Sequence, residues 1–529
     1  MDIRNQIDKG LTSIGIEFGS TRIKAVLIAK DFSILATGVH DWENRLENGI
    51  WTYSVDDIEN GLADCFFDLM KNVREKYDTD LKTTSSMGIS AMMHGYLAFD
   101  ENDNLLVPFR TWRNTITEDA TAILSEKFDF NIPQRWSIAH LYHAILGNEE
   151  HISKIKFITT LAGYVHYRLT GKKVIGTGDG SGMFPVSKET KDYNKEMMKS
   201  FDELTKDTPF KEKIADILPA IVPVGESAGE LTEEGAKLLD KTGTFGGKIN
   251  FCPPEGDAGT GMVATNSIAV KTGNVSAGTS IFGMVVLENE LKKRYEEIDI
   301  VATPDGNPVA MVHCNNCSTD LDSYVKLFGE TLSLFGANVS KSELYDKLYE
   351  ASLSADDDSG GLITCNYHSG EHVTGFTEGR PLLIKTADSK FTVGNLMRCL
   401  VYSAMATLKL GMDILISEEK IALDKIYAHG GLFKSPVASQ RYLAAALGVP
   451  VEVLTSAGEG GAWGIAVLAE YNVREDKAET LSDCLSKRVF KDLDGKELAP
   501  TETDIKSFND YAAQFRKMLA VEETAVKSI

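Results

Sequence analysis

Two short turns in the sequence combine glycine with hydroxyl side chains. Gly19-Ser20-Thr21 follows the apolar run Ser13–Phe18, and Gly278-Thr279-Ser280 follows Lys271–Ala277. Such turns offer unobstructed backbone amides and hydroxyl donors, which suit phosphate oxygens. Glu17 stands just before the first turn, where a carboxylate could hold magnesium through water. Lys24, on the return strand, could reach toward the same phosphates. Either turn alone could be a hairpin that needs glycine for its backbone. Their matching places in the two halves favour phosphate binding.

Asp257 lies in Pro253-Pro254-Glu255-Gly256-Asp257-Ala258-Gly259, just after the expected strand Ile249–Cys252. A carboxylate at a strand end can act as general base toward a hydroxyl, given hydrogen-bond reach and a modestly tuned pKa. The competing role is a helix cap, which aspartate also fills well. Gly259-Thr260-Gly261-Met262-Val263-Ala264 fits a loose dinucleotide fingerprint, but its glycines fall after the helix would have begun. His94 closes the run Ala91-Met92-Met93-His94, and Trp112 could lay its ring on the apolar face of a sugar. His140 and His143 lack metal-ligand spacing and are expected to be structural. Gly430-Gly431-Leu432-Phe433-Lys434-Ser435 joins a strand to a helix, where glycines let a flat base or ribose approach and Ser435 can cap the helix. Gly461, in Gly460-Gly461, would do the same on the opposite side. No Gly-x4-Gly-Lys-Ser/Thr segment occurs, so a P-loop is not expected.

These residues need elements to hold them. Ser13–Ile28 predicts strand, turn, strand, with a third strand over Ile34–Val39. Apolar positions Ile58, Leu62, Phe66, Leu69 and Val73 predict a helix from Asp56 to Tyr77, and Met87–Ser90 a short buried strand. Lys271–Val286 repeats the opening hairpin about half a chain later. A long helix (Val393–Ile416), the strand Lys425–His429, a helix over Ser435–Leu447, a strand over Pro450–Leu454 and a helix over Ala462–Tyr471 follow. A polar-faced helix near Asp504–Val521 ends the chain. The repeat implies two related α/β domains, placed at residues 1–265 and 266–529.

The bulk numbers agree. A chain of 529 residues exceeds one ordinary core, and 43% hydrophobic with 25% charged residues is globular composition. A net charge of −22 argues against nucleic acid or an anionic membrane as partner. The segment Met1–Gln6 has no signal-peptide core, and Lys409 and Asp413 interrupt the most apolar helix. Seven cysteines form no disulfide framework. The Cys314-Asn315-Asn316-Cys317 pair lacks the further ligands a zinc site needs. Reduced thiols and a cytoplasmic location are expected.

Taken in order, these segments resemble the FGGY family of carbohydrate kinases. The resemblance runs from Gly15-Ile16-Glu17-Phe18-Gly19-Ser20 and Gly88–Gly95 through Glu255-Gly256-Asp257 and Val275–Ser280 to Gly430–Ser435 and Glu459–Gly464. It implies two ribonuclease-H-like domains of the actin, sugar-kinase and Hsp70 type around a central cleft, with ATP and Mg2+ as cofactors. By this resemblance Asp257 is the catalytic base and contributes to the metal and sugar sites. Met93 and His94 match a pair contacting a ketose, with Trp112 nearby. Gly19, Ser20, Thr21, Gly278, Thr279 and Ser280 match the phosphate turns, and Gly430, Gly431 and Lys434 the adenosine loop. The chain departs from the family pattern at Glu17 (usually aspartate), Met92 (glutamine), Asn114 (aspartate) and Ile116 (arginine). The expected activity is ATP-dependent phosphorylation of a ketopentose, L-ribulose or D-xylulose. L-Fuculose, gluconate or glycerol kinases, an actin-like ATPase switch and a lapsed sugar sensor are the alternatives. A homodimer is left open.

Overall fold

The computed structural model describes residues 2–434, 436–453, 460–491 and 495–529. The expected cap Ser435, the strand end at Leu454 and the turn Gly458-Glu459 lie outside the described residues. The chain forms two compact units. One comprises Met1–Ile268, Ile300–Val309 and Ala457–Asp492, and the other Ala269–Asp299, Ala310–Ser456 and Leu493–Ile529.

In the first unit the strands Ser13–Phe18 and Arg22–Ile28 pair antiparallel across the Gly19 turn, and Ile34–Asp41 extends the meander. Ser86–Ala91 joins the other side of the first strand in parallel, with Glu17 opposite Ser90 and Gly15 opposite Gly88. Asn250–Phe251 and Glu255–Gly256 then pair in parallel with Ser86–Ala91. The central strands Ser13–Phe18 and Ser86–Ala91 are almost wholly buried, as expected of strands covered on both faces. The helix Val55–Tyr77 covers one face; its Ser54 capping box fixes the start, and its buried stripe contains each apolar position named from the periodicity.

The second unit repeats the plan. Thr272–Ala277 and Ile281–Val286 pair antiparallel, and Lys425–His429 lies parallel to Thr272–Ala277 with His429 opposite Ser276. Val451–Val453 and Lys496–Leu498 continue the sheet. The stretch Val393–Glu418 is long and apolar enough to cross a membrane by length and composition, yet 78% of its most apolar window is buried inside the protein. It is the core helix that Lys409 and Asp413 suggested. All seven cysteines are free and buried.

Where the chain changes unit departs from the single boundary expected between 265 and 266. The first change falls after Ile268, and two later segments return to the first unit. The larger return contains the helix Gly460–Asn472, buried from Gly461 to Asn472. A helix apolar all round must be enclosed, and glycines on adjacent strands make its bed. An added Cβ on Gly15 would come 2.2 Å from the Ala462 carbonyl, and one on Gly88 would come 2.6 Å from the Ile465 side chain. No local sequence signal says which sheet supplies such a bed.

The same helix meets Asp257–Ala264 at Gly464, where a Cβ would stand 2.1 Å from the Thr260 carbonyl oxygen. Gly464→Ala gains about 1 kcal/mol of helix propensity but drives a methyl into backbone, which costs about 1–3 kcal/mol. The clash wins, so a lower thermal midpoint is expected. An unchanged or raised midpoint would mean that the helices do not touch there.

Candidate active site

Four separate segments of the first unit meet around two carboxylates. Glu17 ends the first strand, half-buried, and its Oε2 accepts the Ala462 amide at 3.1 Å. A Cβ on Gly461 would lie 2.3 Å from Glu17 Oε1 and 2.7 Å from Thr260 Oγ1. Gly461, expected to admit a nucleotide base or ribose, is instead the residue whose missing side chain seats Glu17. Thr260 is fully buried and hydrogen-bonds Ser90 at 2.9 Å, so the floor beneath the carboxylates is fixed by hydroxyls.

Asp257 opens the helix Asp257–Ala264, and Gly256 holds the cap position. The helix-cap role therefore falls to the neighbour. Asp257 Oδ1 accepts the Met93 amide at 3.0 Å, a contact across 164 residues. Asp257 stays open to solvent, yet crowding by protein raises its pKa above the ordinary value, against the lowering effect of the Met93 and Ala258 amides. Glu17 is pushed up to about 7, chiefly by burial and then by the charge of Asp257, while the Ala462 amide and Lys24 oppose the shift. The two acids thus feel each other, and Lys24, opposite Glu17 in the hairpin register, supplies the compensating charge.

Met93 and His94 sit beside Asp257 but are mostly enclosed, each 5% exposed. His94 takes a left-handed backbone, φ +73°, which is uncommon for a bulky residue. Its Nδ1 lies 3.1 Å from the Gly182 carbonyl and its ring stacks on Trp136. Trp112 is 38% exposed, and its indole N–H donates to Ser20 Oγ at 3.3 Å, bringing it to the first glycine turn. That turn is braced from behind: Trp42 donates to the Gly19 carbonyl at 2.7 Å and Tyr53 to that of Ser20 at 2.6 Å, with the two rings stacked. Neither ring was singled out from sequence, because an aromatic residue just past a strand end carries no sign of what it will brace. Asn114 is buried and binds Trp51 and Thr111 backbone, which gives it a structural task. His140 is enclosed and its pKa is pushed down to about 3 by burial, in keeping with a structural role.

In the second unit, the other turn and the glycine loop come together. Gly430 has φ +103°, and a Cβ there would strike the Ala277 carbonyl at 2.4 Å. The loop is therefore pressed against the strand that leads into Gly278-Thr279-Ser280. Cys317 and Ser318 donate their amides to the carbonyls of Thr279 and Gly278 at 3.0 and 3.1 Å. The Cys-Asn-Asn-Cys segment is thus the brace of the second turn, equivalent in task to Trp42 and Tyr53. Around Gly278 itself a Cβ would meet nothing within 4 Å. Gly431 follows Gly430, and Lys434 is exposed.

Residues 12–244 match the model for the FGGY family of carbohydrate kinases, N-terminal domain, and residues 273–473 that for its C-terminal domain. The chain belongs to the FGGY family of carbohydrate kinases. It is 24% identical over 401 residues to a xylulose kinase of Haemophilus influenzae, covering 71% of this chain and 76% of that one. Among solved structures it resembles a gluconate kinase and a ligand-bound xylulose kinase, both from Lactobacillus acidophilus. Each is 18% identical with a TM-score of 0.77, and 96% of this chain covers 97% and 98% of theirs. A Plasmodium falciparum glycerol kinase with ADP matches at 14% identity and a TM-score of 0.75, with 97% and 98% of the two chains covered. The fold is the two-domain, actin-like ATPase fold of FGGY sugar kinases, and the protein is an ATP-dependent phosphotransferase of this family. Family membership decides against an ATPase that works only as a conformational switch.

The elevated pKa of Glu17 has a thermodynamic consequence. The folded chain holds this proton up to about pH 7, whereas the unfolded chain releases it near 4.5. In that interval the folded state binds more protons, so stability falls as pH rises. In magnesium-free buffer, the stability of Glu17→Gln relative to wild type should increase from about pH 5 to about pH 8. Urea unfolding at the two pH values measures this; a constant difference would mean that Glu17 titrates as an ordinary surface acid.

Proposed function

We propose that the protein transfers the γ-phosphoryl group of ATP to a terminal hydroxyl of a ketopentose, L-ribulose or D-xylulose, with Asp257 as general base. The observation that carries this reading is the Asp257 carboxylate itself: open to solvent, anchored by the Met93 amide through one oxygen and raised in proton affinity. A carboxylate fixed by the Met93 amide yet open to solvent can take the proton of an incoming hydroxyl. A raised proton affinity strengthens a carboxylate as a base. The xylulose kinase relative and the Met93-His94 pair support a ketose acceptor. Burial of His94 against Gly182 makes it a rigid support for Met93 and for the acceptor.

Phosphoryl transfer depends on positioning and charge stabilisation more than on covalent chemistry by the protein. In the first unit Ser20 and Thr21, and in the second Thr279 and Ser280, offer hydroxyls and amides to phosphate oxygens. Gly19 and Gly278, whose own amides close the turns onto the Arg22 and Ser280 carbonyls, leave room for the phosphates, and Lys24 adds a cation. Gly430, Gly431 and Lys434 hold the adenosine, and Trp112 covers the sugar. Among the described residues no cluster of three or more His, Cys, Asp or Glu could hold a metal ion by itself. The site nevertheless fits magnesium, because Glu17 and Asp257 are two acids whose crowding a divalent cation would relieve, and both would hold it through water. When bound, the ion neutralises charge on the phosphates. The seven free, buried thiols suit a reducing compartment, and we place the protein in the cytoplasm.

A coupled assay over pentuloses, hexuloses, polyols and aldonates tests the acceptor. L-Ribulose or D-xylulose should give the highest kcat/KM, and a clear preference for gluconate or glycerol would overturn the assignment. Asp257→Asn should lower kcat by about a hundredfold or more, as loss of a general base does, while calorimetry shows ATP binding retained. Wild-type turnover in that variant would remove Asp257 from the mechanism.

A further inference from the structure

Behind the Glu17–Asp257 pair lies a second acidic pair to which no role has been given. Glu255 and Asp179 are each 1% exposed. Glu255 Oε2 accepts the Asp179 amide at 2.8 Å, and Oε1 accepts that of Gly178 at 3.3 Å. A Cβ on Gly178 would come 2.4 Å from Glu255 Oε2, and one on Gly176 would come 2.2 Å from Oε1. The glycines of Gly176-Thr177-Gly178 thus form a cradle cut to this carboxyl group. Asp179 in turn accepts the Thr160 hydroxyl at 2.6 Å through Oδ2. Its Oδ1 has no hydrogen-bond partner among the described residues, and it would stand 3.2 Å from a Cβ on Gly256.

Gly256 links Glu255 to Asp257, so the short stretch 255–257 is gripped from both ends. Glu255 is held by the Gly178 and Asp179 amides, Asp257 by the Met93 amide, and Gly256 between them is flanked by Asp179 Oδ1 and the Met93 side chain, whose Cγ would lie 2.8 Å from a Cβ. Both carboxyl groups are taken out of water here, which is costly. Apolar side chains would fill this volume with no such desolvation cost. What they would not supply is directional hydrogen bonding that fixes the strand end.

Resting on the kinase function above, we propose that Glu255 and Asp179 are positioning residues, a bracket that sets where the Asp257 carboxylate meets the acceptor hydroxyl. A displacement of about 1 Å at a reacting group can cost about a hundredfold in rate, so the bracket acts on kcat and not on ground-state binding.

The test compares the full-length wild type with Glu255→Gln, Asp179→Asn and Gly178→Ala, using the preferred acceptor from the screen and saturating Mg-ATP. Each variant should lose about ten- to hundredfold in kcat, with KM for ATP and acceptor within about threefold of wild type. Glu255→Gln and Asp179→Asn should keep thermal midpoints nearly unchanged, while Gly178→Ala lowers its midpoint. Gly178→Ala acts chiefly by pushing Glu255, with a lesser contact at 3.3 Å to the Ala302 carbonyl, so in a Glu255→Ala background most of its kcat cost should vanish. Should the loss appear in KM, or follow the thermal midpoint across the series, the bracket is merely structural and the inference fails. It fails alone if wild type is active, Asp257→Asn is inactive and the bracket variants keep wild-type kcat. It falls together with the kinase function if wild type phosphorylates no acceptor.

Discussion

Two carboxylates held close together in a crowded protein environment repel each other and resist losing their protons, and the first unit is organised around that cost. Glu17 ends the first strand and Asp257 opens a helix far along the chain, yet the charge of one is felt by the other. The molecule answers with backbone amides: Ala462 donates to Glu17 and Met93 to Asp257. It also answers with absence of bulk, since Gly461 leaves room for the Glu17 carboxyl group. A crowded acid pair of this kind is unsuited to simple structural duty.

The amides come from elements that must be placed before the pair can exist. The Gly460–Asn472 helix delivers Ala462 only because Gly15 and Gly88 let it sit on the sheet. Met93 delivers its amide from a backbone that turns left-handed at His94 immediately afterwards. Strain of that kind persists where surroundings over-determine it, and here the Gly182 carbonyl and the Trp136 ring do so. The two glycine-hydroxyl turns follow the same principle with different parts. One is braced by stacked Trp42 and Tyr53, the other by the amides of Cys317 and Ser318. The hairpin is repeated in the two units while the means of stiffening it is not.

Much of this was written in local residue patterns. Alternating apolar runs with a glycine turn specify a hairpin wherever they occur, so both halves could be recognised, as could the helices whose apolar stripe repeats at 3.6 residues. Hydroxyls next to glycine, and an aspartate at a strand end, are chemical signals that need no partner to be noticed. Glu255, Asp179, Trp42, Tyr53 and Thr260 gave no such signal. Each looks ordinary in sequence, and each matters through a group more than ten residues away.

By itself the sequence determined the elements, the duplicated plan and the residue types available for phosphate binding and proton removal, because those depend on contacts between near neighbours along the chain. Only the tertiary structure decided that residues 460–491 return to the first unit, that Gly461 seats a carboxyl group, and that Asp257 is held by an amide from Met93. Those are matters of which distant backbone reaches an acid in a low-dielectric setting, and no pattern in neighbouring residues encodes them.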